Sequence, residues 1–427
     1  NASSWIVFVT VLSGLAACND RQESPRIFQR GVGHLMKNTS SPDADAAKTQ
    51  GDASPPDLNG LPETLVEAAK RLEAQLDDHS VRWKRMVTLS DRYGPRLSGS
   101  KTLEQAIDWS LEVMEEDGLV EVRREKVMVP HWIRGEESAR VVSPVERTLN
   151  LLAIGGTPGT GDEPIRGPII VVENLEEMER RAEEMSGAIV VVNQAMPPYD
   201  HEADSSGYSD AAGIRYHGPR KAAKLGVRAY LTRSLTAKSL QTVHTGGCSW
   251  KKLPREQWIP AASLSIEDTE LLSRLSKNGE VEIELSLGSQ ILPDAESGNA
   301  IGEIRGRELP DEIVVIGGHI DTWDVGDGAN DNGSGVIMSL EAMRLLKATG
   351  LVPRRTIRVV LFTNEENGMR GAKAYYADHR SENHVAAMEA DSGAGEPEGF
   401  RVDGTAEQLA ALQRFAPLFT RIGASQI

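Results

Sequence analysis

Three short apolar runs in the last third of the sequence are each followed by side chains that can bind a metal ion. The runs span residues 313–316, 357–362 and 385–388, and the side chains that follow them are His319, Asp321, Glu365, Glu366 and Asp391. Only two cysteines occur in the chain, so a metal site would have to use imidazole and carboxylate groups. These residue types therefore indicate a site for a divalent metal ion.

The three runs have the composition of strands that are buried on both faces of a parallel sheet, because they are short and almost wholly apolar. In open α/β sheets, ligands collect at the carboxyl ends of the strands. Neighbouring strands lie about 5 Å apart, so side chains just beyond three strand ends can meet at one point. Carboxylates that meet there would repel one another, and a divalent cation would remove that cost.

A further aspartate, Asp331, lies in the glycine-rich stretch 328–335, ahead of a predicted helix over residues 336–347. Helix starts favour aspartate as a cap and through the helix dipole, so this residue alone has an equally good structural explanation. The other side chains have similar explanations, as a hydrogen-bonded histidine, as solvated charge or as the start of a turn. Only the whole set at one sheet edge favours a metal site.

Bulk composition narrows the class of protein. The chain has 427 residues, which predicts two domains plus tails. Charged residues make up 26% and apolar residues 39%, as in ordinary soluble globular proteins. The net charge of −16 argues against a nucleic-acid partner, because phosphate binding needs a surplus of Lys and Arg. Cys18 and Cys248 are too few for a disulfide framework.

The first residues have the pattern of an export signal. Trp5 to Ala17 form an apolar run that is too short to span a bilayer but typical of a signal-peptide core. It ends in Leu-Ala-Ala-Cys18, which resembles the bacterial lipoprotein cleavage box. We therefore predict a signal peptide over residues 1–18 and export to the cell envelope, with membrane attachment through a lipidated Cys18. An ordinary secretory signal with a chance cysteine, and secretion, is the alternative.

Changes in composition divide the rest of the chain. Residues 19–60 are polar and rich in Ser, Asp, Pro and Gly, which is typical of a flexible tether or pro-segment. Residues 61–144 and 289–427 carry helix and strand patterns that predict an α/β domain with a parallel sheet. Residues 145–288 are richer in short β runs, with one helix-like stretch near 220–225. We interpret them as a domain inserted into the first.

The acidic set also resembles a known family. His319-x-Asp321, Gly328-x-x-Asp331, Glu365-Glu366 and Asp391 are together similar to the motifs of the co-catalytic di-zinc exopeptidases, which include bacterial aminopeptidases and glutamate carboxypeptidases. Further stretches resemble the glutamate carboxypeptidase members, namely 94–100, 130–138 and 319–326. The resemblance covers about residue 80 to the end. It implies an α/β/α sandwich with a mixed, largely parallel sheet, and the insert is similar to a protease-associated domain through 222–227 and 259–262.

The resemblance implies a role for each residue of the set. His319 and Asp391 would hold one zinc ion, Glu366 would hold a second, and Asp331 would bridge the two. A water shared by two zinc ions becomes more acidic, and the ions polarise the scissile carbonyl. Glu365 would be the general base that takes the water's proton. Asp321 would hydrogen-bond the imidazole of His319 and orient it.

One departure from the family concerns the second zinc ion. The family supplies a further histidine well beyond the last aspartate ligand, but the 427 − 391 = 36 residues after Asp391 contain none. We expect the natural chain to continue beyond Ile427, and the second zinc site to be incomplete in this sequence.

The expected function is hydrolysis of terminal peptide bonds in short peptides or dipeptides. Carboxypeptidase, dipeptidase and aminopeptidase activity all remain open, and a homodimer is common in this family. One alternative is a non-catalytic receptor or binding module on the same scaffold. Another is acyl transfer of the glutaminyl-cyclase type, although the large insert is unlike that group.

Overall fold

The computed structural model describes residues 61–76, 78–201, 206–238 and 240–391, together with 393, 395, 397, 399–420, 424, 426 and 427. The predicted signal peptide and tether therefore lie outside the described residues. Contacts divide the described chain into two compact units, the first formed by residues up to 129 and from 295, and the second by residues 130–294. In the part of the chain that is described, no helix combines the length and apolarity needed to cross a membrane.

The described chain contains both helices and strands. The strands are β1 (Val120–Ile133), β2 (Glu137–Ser143), β3 (Arg147–Leu149), β4 (Leu151–Ala153), β5 (Ile165–Val172), β6 (Ile189–Val192), β7 (Ala229–Arg233), β8 (Ala261–Leu264), β9 (Glu282–Leu287), β10 (Gln290–Ile304), β11 (Leu309–His319), β12 (Arg355–Phe362) and β13 (Asn383–Glu389). The α-helices are α1 (Glu63–Glu73), α2 (Ser80–Val87), α3 (Lys101–Glu116), α4 (Leu175–Arg180), α5 (Ala182–Met185), α6 (Tyr208–Ala211), α7 (Gly213–Tyr216), α8 (Gly218–Lys224), α9 (Ile266–Ser276), α10 (Ser334–Ala348), α11 (Arg370–His379), α12 (Ala406–Gln413) and α13 (Ala416–Phe419).

The first unit is built on a five-stranded sheet with the order β1-β10-β12-β11-β13. The three apolar runs identified in the sequence are the centres of β11, β12 and β13. As predicted, they are adjacent and parallel, with β11 between the other two. β10 runs antiparallel to β12, so the sheet is mixed. Because the parallel strands end at one edge, the residues that follow them are brought together there.

Helices cover both faces of this sheet. On one face, Val314 and Ile316 of β11 pack in a core with residues of α3 and α10, such as Ile107 and Leu340. On the other face, the alternate residues of the same strands pack with Tyr375 of α11. The strands are buried on both faces because successive side chains point to opposite sides of a sheet. The arrangement confirms the predicted α/β/α sandwich.

The second unit contains an eight-stranded sheet with the order β3-β2-β9-β5-β6-β7-β8-β4. Strands β5 to β8 are parallel, and helices α4 to α9 lie within the same unit. The unit is wider than the predicted insert 145–288, since β2 pairs along its length with β9. Its helices are mostly too short to produce a visible periodicity, so the sequence predicted only the one near residue 220. Its assignment as a protease-associated domain stays a prediction.

Candidate metal centre

His319 is the last residue of β11 and lies opposite Phe362, the last residue of β12. Its imidazole is fully buried. The Nε2 atom lies 3.1 Å from Asp331 Oδ1 and 3.2 Å from Asp391 Oδ1. These three donor atoms all lie within 4.8 Å of one another. The structure therefore brings together the histidine and two of the aspartates that the sequence singled out.

Close packing between α10 and the end of β13 produces this convergence. A Cβ on Gly335, near the start of α10, would lie 2.0 Å from the carbonyl oxygen of Ala390, so only glycine allows this approach. Asn332 joins the same segments, because its Nδ2 donates to the Ala390 carbonyl at 2.7 Å and its Oδ1 accepts from the Gly335 N–H at 3.0 Å. Asp331 directly precedes Asn332 and Asp391 directly follows Ala390, so this hydrogen bond brings the two aspartates close together.

The geometry fits a metal ion of the type that the residues prefer. Two donors bound to a tetrahedral zinc ion at about 2.0–2.1 Å are separated by roughly 3.3 Å. The separations of 3.1 and 3.2 Å from His319 Nε2 to the two carboxylate oxygens are close to that value. Imidazole nitrogen and carboxylate oxygen are both donors that zinc accepts in proteins. The donor set and its spacing therefore both fit a shared ion.

The protonation of His319 is set by its surroundings. Its Nδ1 lies 2.9 Å from the backbone carbonyl of Asp321, which can only accept, so Nδ1 carries a proton and donates. Nε2 therefore faces the two aspartates. Burial lowers the pKa of His319, but the nearby carboxylates of Asp321, Asp331 and Asp391 outweigh burial and raise that pKa well above its ordinary value. The imidazole ring is therefore surrounded by negatively charged carboxylates.

Asp321 contacts the imidazole of His319 mainly through its backbone carbonyl. Its carboxylate Oδ1 lies 3.7 Å from His319 Nδ1, whereas its backbone carbonyl makes the short contact. The carboxylate oxygens instead accept the backbone N–H groups of Glu365 at 2.9 Å and Glu366 at 3.2 Å. Asp321 is fully buried. Its carboxylate thus holds the Glu-Glu loop, a role that needs knowledge of the fold and was not visible in the sequence.

Glu365 and Glu366 follow β12 and lie outside the group of three donor atoms. Asn364, at φ 63°, turns the chain into this loop and donates from Nδ2 to Ser98 Oγ at 2.9 Å. Glu366 and Asp331 line the same cavity, about 300 Å³ in volume, with Thr322, Trp323, Val325 and Asn330. Burial raises the pKa of Glu366 well above its usual range, and the negative charge of Asp331 raises it further. A cation in this cavity would relieve that excess of negative charge.

The fold and the site together define a metal-dependent peptidase of the α/β/α type. The chain belongs to Peptidase family M28, whose sequence profile matches residues 299–425. Carboxypeptidase Q of Bos taurus is 39% identical over 349 residues, which cover 81% of this chain and 71% of the relative. Carboxypeptidase Q of Homo sapiens has the same identity and coverage. The chain is therefore a metallopeptidase, a class of hydrolase.

Solved structures are similar as well. An M28 peptidase precursor from Shewanella amazonensis is 32% identical and superposes with a TM-score of 0.75, covering 82% of this chain and 80% of that one. A zinc aminopeptidase from Bacillus subtilis is 22% identical, with a TM-score of 0.53 and coverage of 73% and 68%. At that identity the second likeness shows the fold alone.

Proposed function

We propose that this chain is a zinc-dependent exopeptidase that hydrolyses terminal peptide bonds of short peptides or dipeptides. The observation that carries the proposal is the convergence of His319 Nε2 with carboxylate oxygens of Asp331 and Asp391 within 4.8 Å. The relatives support it, because those with 39% identity are named carboxypeptidase Q. The cavity of about 300 Å³ supports it too, since this is the lower end of ligand-site sizes and suits the end of a peptide.

Two zinc ions are proposed for the centre. His319 and Asp391 would hold one, Glu366 would be a ligand of the other, and Asp331 would be a ligand shared by both; the second set lacks the family's further histidine in this sequence. Zinc bound there would polarise the scissile carbonyl and make a water molecule acidic enough to supply the nucleophile. The chain's contribution is to present these ligands from a rigid sheet edge and a helix start, so that little reorganisation is needed when metal binds.

Glu365 is proposed as the general base. It accepts a proton from the attacking water as the new C–O bond forms, and it returns a proton to the leaving amine as the C–N bond breaks. Asp321 fixes the backbone of Glu365 through the 2.9 Å hydrogen bond to its N–H group. The carboxylate of Asp321 therefore positions the proposed base, while its backbone carbonyl contacts the imidazole of His319.

Two further proposals concern export and assembly. Export is proposed from the signal pattern of residues 1–18, with lipid attachment at Cys18 or simple secretion as its two forms. A homodimer is proposed from the family resemblance.

Zinc content and dipeptide hydrolysis, measured together on Glu365→Gln, test the proposed function. The amide keeps the shape of the side chain but cannot accept the proton, so zinc content should remain and kcat should fall by about 10²- to 10⁴-fold. Glu308→Gln is the matched control, since Glu308 is a surface residue paired with Arg354. Near-normal turnover by Glu365→Gln would refute its role.

The same assay separates the alternatives. Wild-type protein that binds no zinc and hydrolyses no peptide would favour the receptor-like binding module. Release of ammonia from an N-terminal glutaminyl peptide, without hydrolysis of dipeptides, would favour acyl transfer.

A further inference from the structure

Arg96 is a buried cation of the first unit that contacts the chain segments on both sides of the metal centre. None of its surface is exposed. Within the described residues, its guanidinium donates to five backbone carbonyls, those of Leu89, Gly94, Ile320, Asp327 and Gly328. Burying a charged group is costly unless its hydrogen bonds are made, and here backbone carbonyls provide them. The forked guanidinium is suited to holding several carbonyls in one fixed geometry.

Two of these contacts adjoin the proposed ligands. Nε donates at 2.9 Å to the carbonyl of Ile320, the residue directly after His319. Nη2 donates at 3.0 Å to the carbonyl of Gly328, just ahead of the turn that carries Asp331. One planar guanidinium group therefore holds both ends of segment 320–328, and this segment links the two proposed ligands.

Backbone contacts strengthen the same connection. The Arg96 N–H donates to Thr322 Oγ1 at 2.8 Å, and the Thr322 N–H donates to the Arg96 carbonyl at 3.1 Å. The Gly328 carbonyl also accepts from the Gly333 N–H at 2.9 Å, at the start of α10. Arg96 is thus joined through Gly328 to the helix that follows Asp331.

Gly328 permits the close approach of this segment. Its φ of 59° lies in the left-handed region, which side chains with a Cβ rarely adopt. A Cβ there would lie 2.2 Å from Thr322 Cγ2 and 3.0 Å from Arg96 Nη2. A larger residue would therefore push the segment away from the guanidinium without changing any charge.

We propose that Arg96 is a positioning residue of the metal centre, which holds segment 320–328 so that His319 and Asp331 are already in place when metal binds. The inference rests on the proposed function, because it assumes that these two residues are ligands. Residues that orient ligands commonly change metal affinity about 10- to 100-fold when they are altered. A merely structural arginine would change the stability of the fold and leave the affinity of the folded protein unchanged.

The experiment compares zinc binding by the 427-residue chain and its variants, measured by competition with a chromophoric chelator on protein that is folded by circular dichroism. Arg96→Met removes the charge and all donors, and Arg96→Lys keeps the charge but not the fork. We expect the zinc dissociation constant to rise about 10- to 100-fold in Arg96→Met and by a smaller factor in Arg96→Lys. Arg355→Met is the matched control, since Arg355 is equally buried but begins β12, at the opposite end from the ligands. It should bind zinc with wild-type affinity.

Hydrogen exchange of the metal-free protein supplies a second readout. The amides of Thr322 and Gly333 should exchange faster in Arg96→Met than in wild type, and remain as in wild type in Arg355→Met. If Arg96→Met does not fold, Gly328→Ala tests the same contact and should also weaken zinc binding. Wild-type zinc affinity in folded Arg96→Met, or in Gly328→Ala, would overturn the inference. A wild-type chain that binds no zinc would instead refute the proposed function.

Discussion

Two clusters of ionisable side chains lie on the same sheet of the first unit. In one, carboxylates are paired with cations, and in the other, carboxylates outnumber the cations. Around Arg358, in the middle of β12, the carboxylates of Glu303 and Glu382 each face a cation. Arg358 Nε pairs with Glu303 at 2.7 Å, and Nη1 pairs with Glu382 at 2.5 Å. At the metal centre, by contrast, the carboxylates of Asp321, Asp331, Asp391 and Glu366 gather around the single imidazole of His319.

The pKa directions of two glutamates express this difference. Burial alone would raise the pKa of Glu382, but its hydrogen bonds to Arg358 and His379 outweigh burial and lower it. The pKa of Glu366 is raised well above normal, first by burial and then by the charge of Asp331. The first cluster is balanced and can stabilise the fold by itself. The second has an excess of negative charge, which a bound metal cation would balance.

The largest expected effect concerns the unbalanced cluster. His319→Gln removes the nitrogen that faces both Asp331 and Asp391, so dipeptide hydrolysis should fall by at least about 10³-fold and zinc binding should be lost. Zinc content and initial rates measure both. His384→Gln is the control from the balanced cluster, where His384 lies 2.9 Å from the Tyr375 hydroxyl, and it should keep both zinc and activity. Substantial zinc bound by folded His319→Gln would contradict the role of His319 as a metal ligand.

The second prediction breaks the balanced cluster. Arg358→Met removes the 2.7 Å partner of the buried Glu303 carboxylate and leaves it with the more distant Arg123, at 3.8 Å. The free energy of unfolding of the metal-free protein should therefore fall by about 3–5 kcal/mol. Urea unfolding measures the change. Arg354→Met is the control, because its partly exposed pair with Glu308 should contribute less than about 1 kcal/mol. An equal loss in both variants would show that burial of the network matters little.

The third prediction compares stability with and without zinc. At free zinc 100-fold above its dissociation constant, wild-type protein should gain about 2.7 kcal/mol of stability by mass action. Asp391→Asn should lose most of this gain, because it removes a proposed ligand, whereas the variants of the Arg358 cluster should keep it. Thermal unfolding with zinc and with a chelator provides the measurement. A full zinc-dependent gain in Asp391→Asn would contradict the role of Asp391.

The smallest effect is a pH dependence of the balanced cluster. Because the pKa of Glu382 is lower in the folded chain, its contribution is present above the ordinary glutamate pKa and is lost as the pH falls through the folded value. Glu382→Gln should therefore be less stable than wild type at pH 6, and the difference should shrink at more acidic pH. Urea midpoints across that range measure it. A difference that grows on acidification would have the wrong sign.

Much of the sheet edge could be predicted from the sequence, because it depends on local patterns. The apolar runs identified β11 to β13, and the predicted helix over 336–347 corresponds to α10, Ser334–Ala348. Parallel strands must end together, so His319 and Asp391 were expected to meet. Asp331 was expected near them because it lies just before the predicted helix, and the structure places donor atoms of all three residues within 4.8 Å of one another.

The remaining features depend on contacts between distant residues. Arg96 reaches Ile320 across 224 positions, and no pattern in either segment indicates that contact. The carboxylate of Asp321 was expected on His319, since their spacing in the sequence is short, but the β12 loop offers it two backbone N–H groups. In the second unit, the short helices α4 to α7 lack enough turns to display a period.

Anomalous diffraction at the zinc edge, from crystals of the chain grown with zinc, tests the central claim most directly. The account predicts a peak about 2.0–2.2 Å from His319 Nε2 and from carboxylate oxygens of Asp331 and Asp391. A map without a peak there, in crystals where those three side chains are hydrogen-bonded only to one another, would contradict it.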